Sequence, residues 1–235
     1  YVVAILVAQI GWVAQIFIDL PLGPTLAITT TLMVIELAGP VVAETRYGGT
    51  PWHVDHIVER YGCFAIIALG EGVVGTVAAI SAVIEASGWT SDIALVSLAG
   101  MGLTFGLWWV YYMLPSAEAL RANRGYSLVW GYAQLLVVAA IVATGAGLHV
   151  AANYIEHEAQ LDAFGTVLTV AIPVSVFLAA IYGLYAYLLK VYDRFHMALL
   201  LVTALVIACA LIAAAAGLPM AACLVIVMLA PVVTV

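Results

Sequence analysis

The chain reads as apolar runs of about twenty residues broken by short polar stretches, and twenty apolar residues is the length that crosses a hydrocarbon core as a helix. Eight such runs fall at approximately 2–18, 25–43, 61–84, 93–114, 126–150, 164–189, 197–216 and 219–235. The pattern predicts an all-α fold, a polytopic transmembrane helix bundle of about eight spans. The first and last runs are short. Only Gly217-Leu218-Pro219 divides the seventh from the eighth, which predicts a tight helical hairpin. No linker, low-complexity tract or internal repeat interrupts the pattern, so residues 1–235 read as a single transmembrane helical domain.

Composition narrows the class further. The chain has 235 residues, 66% hydrophobic and 8% charged, against about 25% charged in a soluble domain. A soluble fold is excluded. The six basic residues form no patch, which speaks against a nucleic-acid partner. Cys63, Cys209 and Cys223 lie inside apolar runs without CxxC spacing and read as small buried hydrophobes. Nothing calls for a metal or another cofactor. The sequence begins at Tyr1 with no basic leader, and the expectation is that an N-terminal part of the native protein is missing.

Loop charges set an orientation. Arg46 and Arg60, then Arg121 and Arg124, then Lys190 and Arg194 flank the ends of the second, fourth and sixth runs. The alternate loops hold Asp19, then Glu85 and Asp92, then Glu156, Glu158 and Asp162. This alternation follows the positive-inside rule. It places both ends of the chain in the cytoplasm and the protein in the bacterial cytoplasmic membrane.

Several runs carry polar residues where lipid-facing positions would be apolar. From the helical rise, Glu71 is roughly 16 Å past Arg60, Glu36 roughly 12 Å from Glu44, and Gln134 roughly 12 Å past Tyr126. Trp108, Trp109, Tyr182 and Tyr185 fall near the same level. These positions predict one polar layer in the cytoplasmic half, an ion or substrate pathway of Glu71, Glu36, Gln134 and Gly70. A charge at such depth costs about 2.5–3.5 kcal/mol on insertion scales, which makes it a functional candidate. The competing reading makes the carboxyl a structural hydrogen-bond donor between helices.

His56, Arg60, Cys63, Ile67 and Glu71 form one stripe of the third run at three-to-four spacing. With Glu59 on the flank, His56, Glu59 and Arg60 would form a cytoplasmic gate or anion site. Gly70, Gly72 and Gly75 bracket the acid and would let another helix come close. In the acidic stretch 151–163, read as a short outer surface element, Glu156, His157 and Glu158, with His149 just before it, could hold a metal. Ordinary exposed acids are the commoner reading. The lone lysine sits at a helix end, no histidine pair lies deep in the spans, and no GxSxG, HExxH or Walker A motif occurs. Retinal, b-type haem and the common hydrolases are thereby set aside.

The string from Pro51 to Val74, PWHVDHIVERYGCFAIIALGEGVV, resembles the bacterial low temperature requirement A (LtrA) family. His56, Glu59-Arg60, Gly62, Phe64, Ile66-Ile67 and Leu69-Gly70-Glu71 carry that family's pattern, with further similarity at 37–40, 107–112 and 132–148. Two departures stand out. Gln134 replaces a histidine common in the family, and an acidic-aromatic motif of an earlier helix is absent. The chain therefore looks like the later two-thirds of such a protein. The resemblance implies an integral membrane protein linked by name to growth in the cold, and implies no reaction.

Three functions follow as expectations. The first is a proton- or cation-coupled transporter or channel centred on Glu71. The alternative is a non-catalytic, lipid-interacting or assembly subunit of a larger membrane complex. The weakest is an enzyme acting on a lipid or prenyl phosphate through His56, Glu59 and Arg60. The expected partners are membrane lipids, with other membrane subunits or further copies of the chain.

Overall fold

A computed structural model describes residues 2–46, 51–88, 91–190 and 194–234, apart from the side chains of 86–87 and 91–92. Asp92, read above as an outer-loop charge, and Val235, read as the end of the eighth run, lie outside the described residues in this sense. The protein is all-helical, with 89% helix and no strand among the described residues. An apolar run must satisfy its backbone polar groups internally, and the α-helix does so within one segment.

Among the described residues, six helices are long and apolar enough to cross a membrane: Leu22–Arg46, Val54–Glu85, Ile93–Ala122, Arg124–Ile155, Ala163–Leu189 and Arg194–Ala215. Two shorter apolar helices, Val2–Ile16 and Met220–Val233, occupy the first and last of the eight predicted runs.

The chain forms two compact units, 1–53 and 54–235. The first pairs α1 (Val2–Ile16) with α2 (Leu22–Arg46). Gly11 lies against Leu32, and Gly39 lies against Ala4. Gln15 Nε2 donates to Thr29 Oγ1 (2.9 Å) and to the Thr25 carbonyl (3.2 Å), tying the connected ends of the pair together.

The second unit contains α3 (Val54–Ser87), α4 (Ser91–Met113), α5 (Ser116–Ala122), α6 (Ser127–Ile155), α7 (Ala163–Leu189), α8 (Arg194–Ala215) and α9 (Met220–Val233). α3 and α6 lie side by side and run in the same direction. The Tyr61 and Trp130 rings meet edge to face at 5.0 Å near their N-terminal ends. Gly75 faces Gly145 further along, and Ala79 and Ala152 share a buried cluster beyond. α4 packs on α3 through reciprocal small-residue contacts, Gly100 against Thr76 and Gly72 against Thr104. Its other flank meets α9, with Gly102 on Met228 and Gly106 on Pro231. α7 closes on α6 where Gly147 meets the backbone of Thr169. Small residues permit such close approach where no hydrophobic effect between helices is at work. Gly217, at φ 88°, makes the predicted turn between α8 and α9 in a conformation that favours glycine.

Two elements differ from the sequence reading. α3 begins at Val54, seven residues before the apolar run that starts at Tyr61. Hydropathy marks the apolar boundary, whereas VDHIVER continues the helix as an amphipathic turn with Val54 buried. The stretch after α4, read as loop, contains α5, whose Ala119 and Leu120 are buried while Glu118 and Arg121 stay exposed. Arg121 pairs with Asp55 of α3, and Trp130 Nε1 donates to Ser116 Oγ at 3.0 Å, so α5 is fastened to both α3 and α6.

Candidate functional site

Glu71 sits in the middle of α3, and its neighbours explain where its side chain goes. A Cβ placed on Gly145 of α6 would lie 2.7 Å from Glu71 Cγ and 2.9 Å from the Gly72 nitrogen. One placed on Gly75 would lie 2.7 Å from the Gly145 carbonyl oxygen and 3.4 Å from the His149 ring. Glycine at these places brings the two backbones together. His149, one helical turn beyond Gly145, then reaches Glu71. Its Nε2 lies 3.2 Å from Glu71 Oε1. The two side chains remain 42% (Glu71) and 37% (His149) exposed, so the pair is reachable from outside the protein rather than sealed in its core.

On the α4 side of α3, the contact is lined by threonines. Thr76 Oγ1 donates to the Gly72 carbonyl at 2.6 Å, and Thr104 Oγ1 donates to the Gly100 carbonyl at 3.0 Å. Each threonine satisfies its hydroxyl within its own helix while packing against the glycine of the other. An unsatisfied hydroxyl in apolar surroundings is thereby avoided.

The other predicted residues are distributed differently. Gln134 is 1% exposed, and its Oε1 accepts a hydrogen bond from the Tyr111 hydroxyl of α4 at 3.1 Å. It stands eleven residues before Gly145 on α6, which is roughly 16 Å of helical rise. Glu71 and Gln134 therefore belong to two levels of the α3–α6 pair rather than to one layer. The reason is that Glu71 takes its place from the glycine contact with α6, and depth counted from each helix's own charged end does not fix that register.

Glu36 lies within the first unit. It accepts from Trp12 Nε1 at 3.3 Å and from Gln9 Nε2 at 3.4 Å, both on α1. Gly70 is exposed, and a Cβ there would meet nothing within 4 Å. Close approach uses Gly72 and Gly75 instead. His56, Glu59 and Arg60 are exposed along one face of α3, in a shallow groove continued by Cys63, Phe64 and Ile67. Tyr182 and Tyr185 line a cavity formed by the ends of α4 and α7 and the start of α8.

Sequence reading missed His149 as the partner of Glu71. It placed that histidine beside an acidic outer stretch and considered a metal. Among the described residues no group of three or more His, Cys, Asp and Glu side chains is placed to hold a metal ion. The available signal was the small-residue string Ala143-Thr144-Gly145-Ala146-Gly147 just before His149, which marks a close helix crossing. Tyr111 falls in the stretch 107–112 noted above for its family similarity, and nothing in that stretch pointed to Gln134.

A family model described as Bacterial low temperature requirement A protein (LtrA) matches residues 1–231. No curated protein and no solved structure matches the chain.

Proposed function

The chain belongs to the low temperature requirement A family, and from that premise we propose that it carries protons or monovalent cations across the bacterial cytoplasmic membrane through Glu71 and His149. The observation behind this reading is the 3.2 Å contact between those two side chains on adjacent membrane-spanning helices. An isolated charge at that depth is costly, and intramembrane carboxylates and imidazoles usually pair and usually belong to ion or proton paths. A carboxyl and an imidazole in contact can hold one proton between them with no net charge. Gaining or losing a proton then changes the charge of the site by one, which is what a stepping site requires. Both groups are partly exposed at the surface of the helix pair.

His56, Glu59 and Arg60 would form the polar entrance at the N-terminal end of α3, on the side that the loop charges assign to the cytoplasm. Gln134 and Tyr111 would act as a structural latch between α4 and α6 at the lower level. Both chain ends would face the cytoplasm.

The test is flux in proteoliposomes loaded with a pH-sensitive dye under an imposed gradient, with wild type, Glu71→Gln and His149→Gln compared at equal folded amounts. Flux in wild type that falls at least tenfold in both variants is the expected result. Equal flux in wild type and Glu71→Gln would overturn the proposal. So would no flux in wild type for protons, sodium or potassium, which would turn attention to a lipid-interacting or assembly role.

A further inference from the structure

A second feature, lined by residues other than the Glu71–His149 pair, is independent of the transport reading. The ends of α4 and α7, the start of α8 and the residue after α9 enclose a half-open cavity of about 370 Å³. Its walls are mainly apolar, including Val110, Leu114, Ile181 and Leu199. Tyr182 lines it, and its hydroxyl is buried with no hydrogen-bond partner among the described residues. A buried hydroxyl without a partner is disfavoured, and such a group in a native fold calls for an explanation. One wall is aromatic: the Tyr185 and His196 rings stack at 4.6 Å, with Phe195 edge-on to His196 at 5.7 Å. Two cations flank the cavity in the chain. Lys190 follows the lining residue Leu189, Arg194 precedes the lining residue Phe195, and both are exposed.

We infer that this cavity is a binding site for an anionic glycerophospholipid of the adjoining leaflet. Each part of such a lipid finds its complement. The phosphate head matches Lys190 and Arg194, since basic pockets between membrane helices select anionic head groups. An ester carbonyl oxygen accepts from the Tyr182 hydroxyl, which supplies the missing partner. The first methylenes of an acyl chain lie along Ile181, Leu199 and Val110 and fill the cavity with van der Waals contacts. A zwitterionic lipid would offer the same carbonyl and chain while lacking the net charge. The site would therefore take it less well, and the difference should reside in the two cations.

The experiment is native mass spectrometry of the full chain released from nanodiscs of equal dioleoylphosphatidylglycerol and dioleoylphosphatidylcholine. Wild type should retain phosphatidylglycerol in preference. Tyr182→Phe should weaken retention of both lipids by about tenfold, the scale of one lost hydrogen bond in apolar surroundings. Lys190→Gln with Arg194→Gln should abolish the preference and leave phosphatidylcholine retention unchanged. A photoactivatable phosphatidylglycerol on the wild-type protein supplies a check that needs no variant. Labelling concentrated on peptides spanning 110–115 and 181–199 supports the site. Labelling spread evenly over the helices, or equal retention of both lipids by wild type and variants, overturns it.

Discussion

His149 Nε2 lies 3.2 Å from Glu71 Oε1, and the contact joins two helices that run side by side in the same direction. Neither side chain could reach the other if α3 and α6 were held at ordinary helix spacing by larger residues between them. The pair therefore depends on Gly75 and Gly145. The chemistry of the site and the packing of the helices are one structural fact.

Two glycine substitutions should have opposite effects on stability. Gly145→Ala would place a Cβ 2.7 Å from the Glu71 backbone and Cγ, and such overpacking costs about 1–3 kcal/mol. Gly70→Ala meets nothing within 4 Å and should gain about 0.5–1 kcal/mol, because alanine gives up less backbone freedom in a helix. Thermal stability in detergent, read by size-exclusion chromatography after heating, checks both. An unchanged melting point for Gly145→Ala would mean that the helices are further apart than described.

Glu71 and His149 should also couple energetically. Glu71→Gln and His149→Gln, made singly and together, form a double-mutant cycle. The expected interaction energy is about 1 kcal/mol, the range for residues in direct contact, moderated because both side chains are partly exposed. Additive single effects would show that the two groups do not meet. Flux in the same four proteins should follow the same pattern, with the double variant no worse than the worse single one.

The helices were legible in the sequence because lipid imposes one requirement on every residue of a span, so composition alone marks them. The Gly217 turn was legible for an equally local reason. Partnership between spans was not. Glu71 announced itself as a charge in an apolar run, but its partner depended on where α6 lies along α3. Glycines set that register by contact, and the contact leaves no charge or hydropathy signature. Gln134 and Glu71 were placed at one level because each depth was counted along its own helix. The early start of α3 and the short α5 were missed because both are amphipathic and lie outside the apolar windows. Arg121 was read only as a loop charge, while it also holds α5 to Asp55.

That outer ion pair should contribute little. Arg121 and Asp55 are 54% and 45% exposed, and exposed pairs are worth about 0.2–1 kcal/mol and are screened by salt. Arg121→Ala should lower the melting point only slightly in low salt and hardly at all at 0.5 M sodium chloride, roughly the regime where the Debye length falls below 5 Å. A large loss that persists in high salt would mean that the arginine stem packs α5 in place as well.

The Gln134–Tyr111 bond should behave in the opposite way, because Gln134 is buried. Gln134→Leu keeps the volume and removes the acceptor, leaving the Tyr111 hydroxyl without its partner. The expected loss is about 1–3 kcal/mol, the cost of an orphaned polar group in apolar surroundings. Tyr111→Phe in the same background removes the orphan, so Tyr111→Phe/Gln134→Leu should be more stable than Gln134→Leu alone. Gln134→His keeps an acceptor nitrogen on the same helix turn and should lose less than Gln134→Leu. Four melting curves in one detergent decide the matter. If the double variant is no more stable than the single leucine variant, the Tyr111 hydroxyl does not depend on Gln134, and α4 and α6 are held together at this level by packing alone.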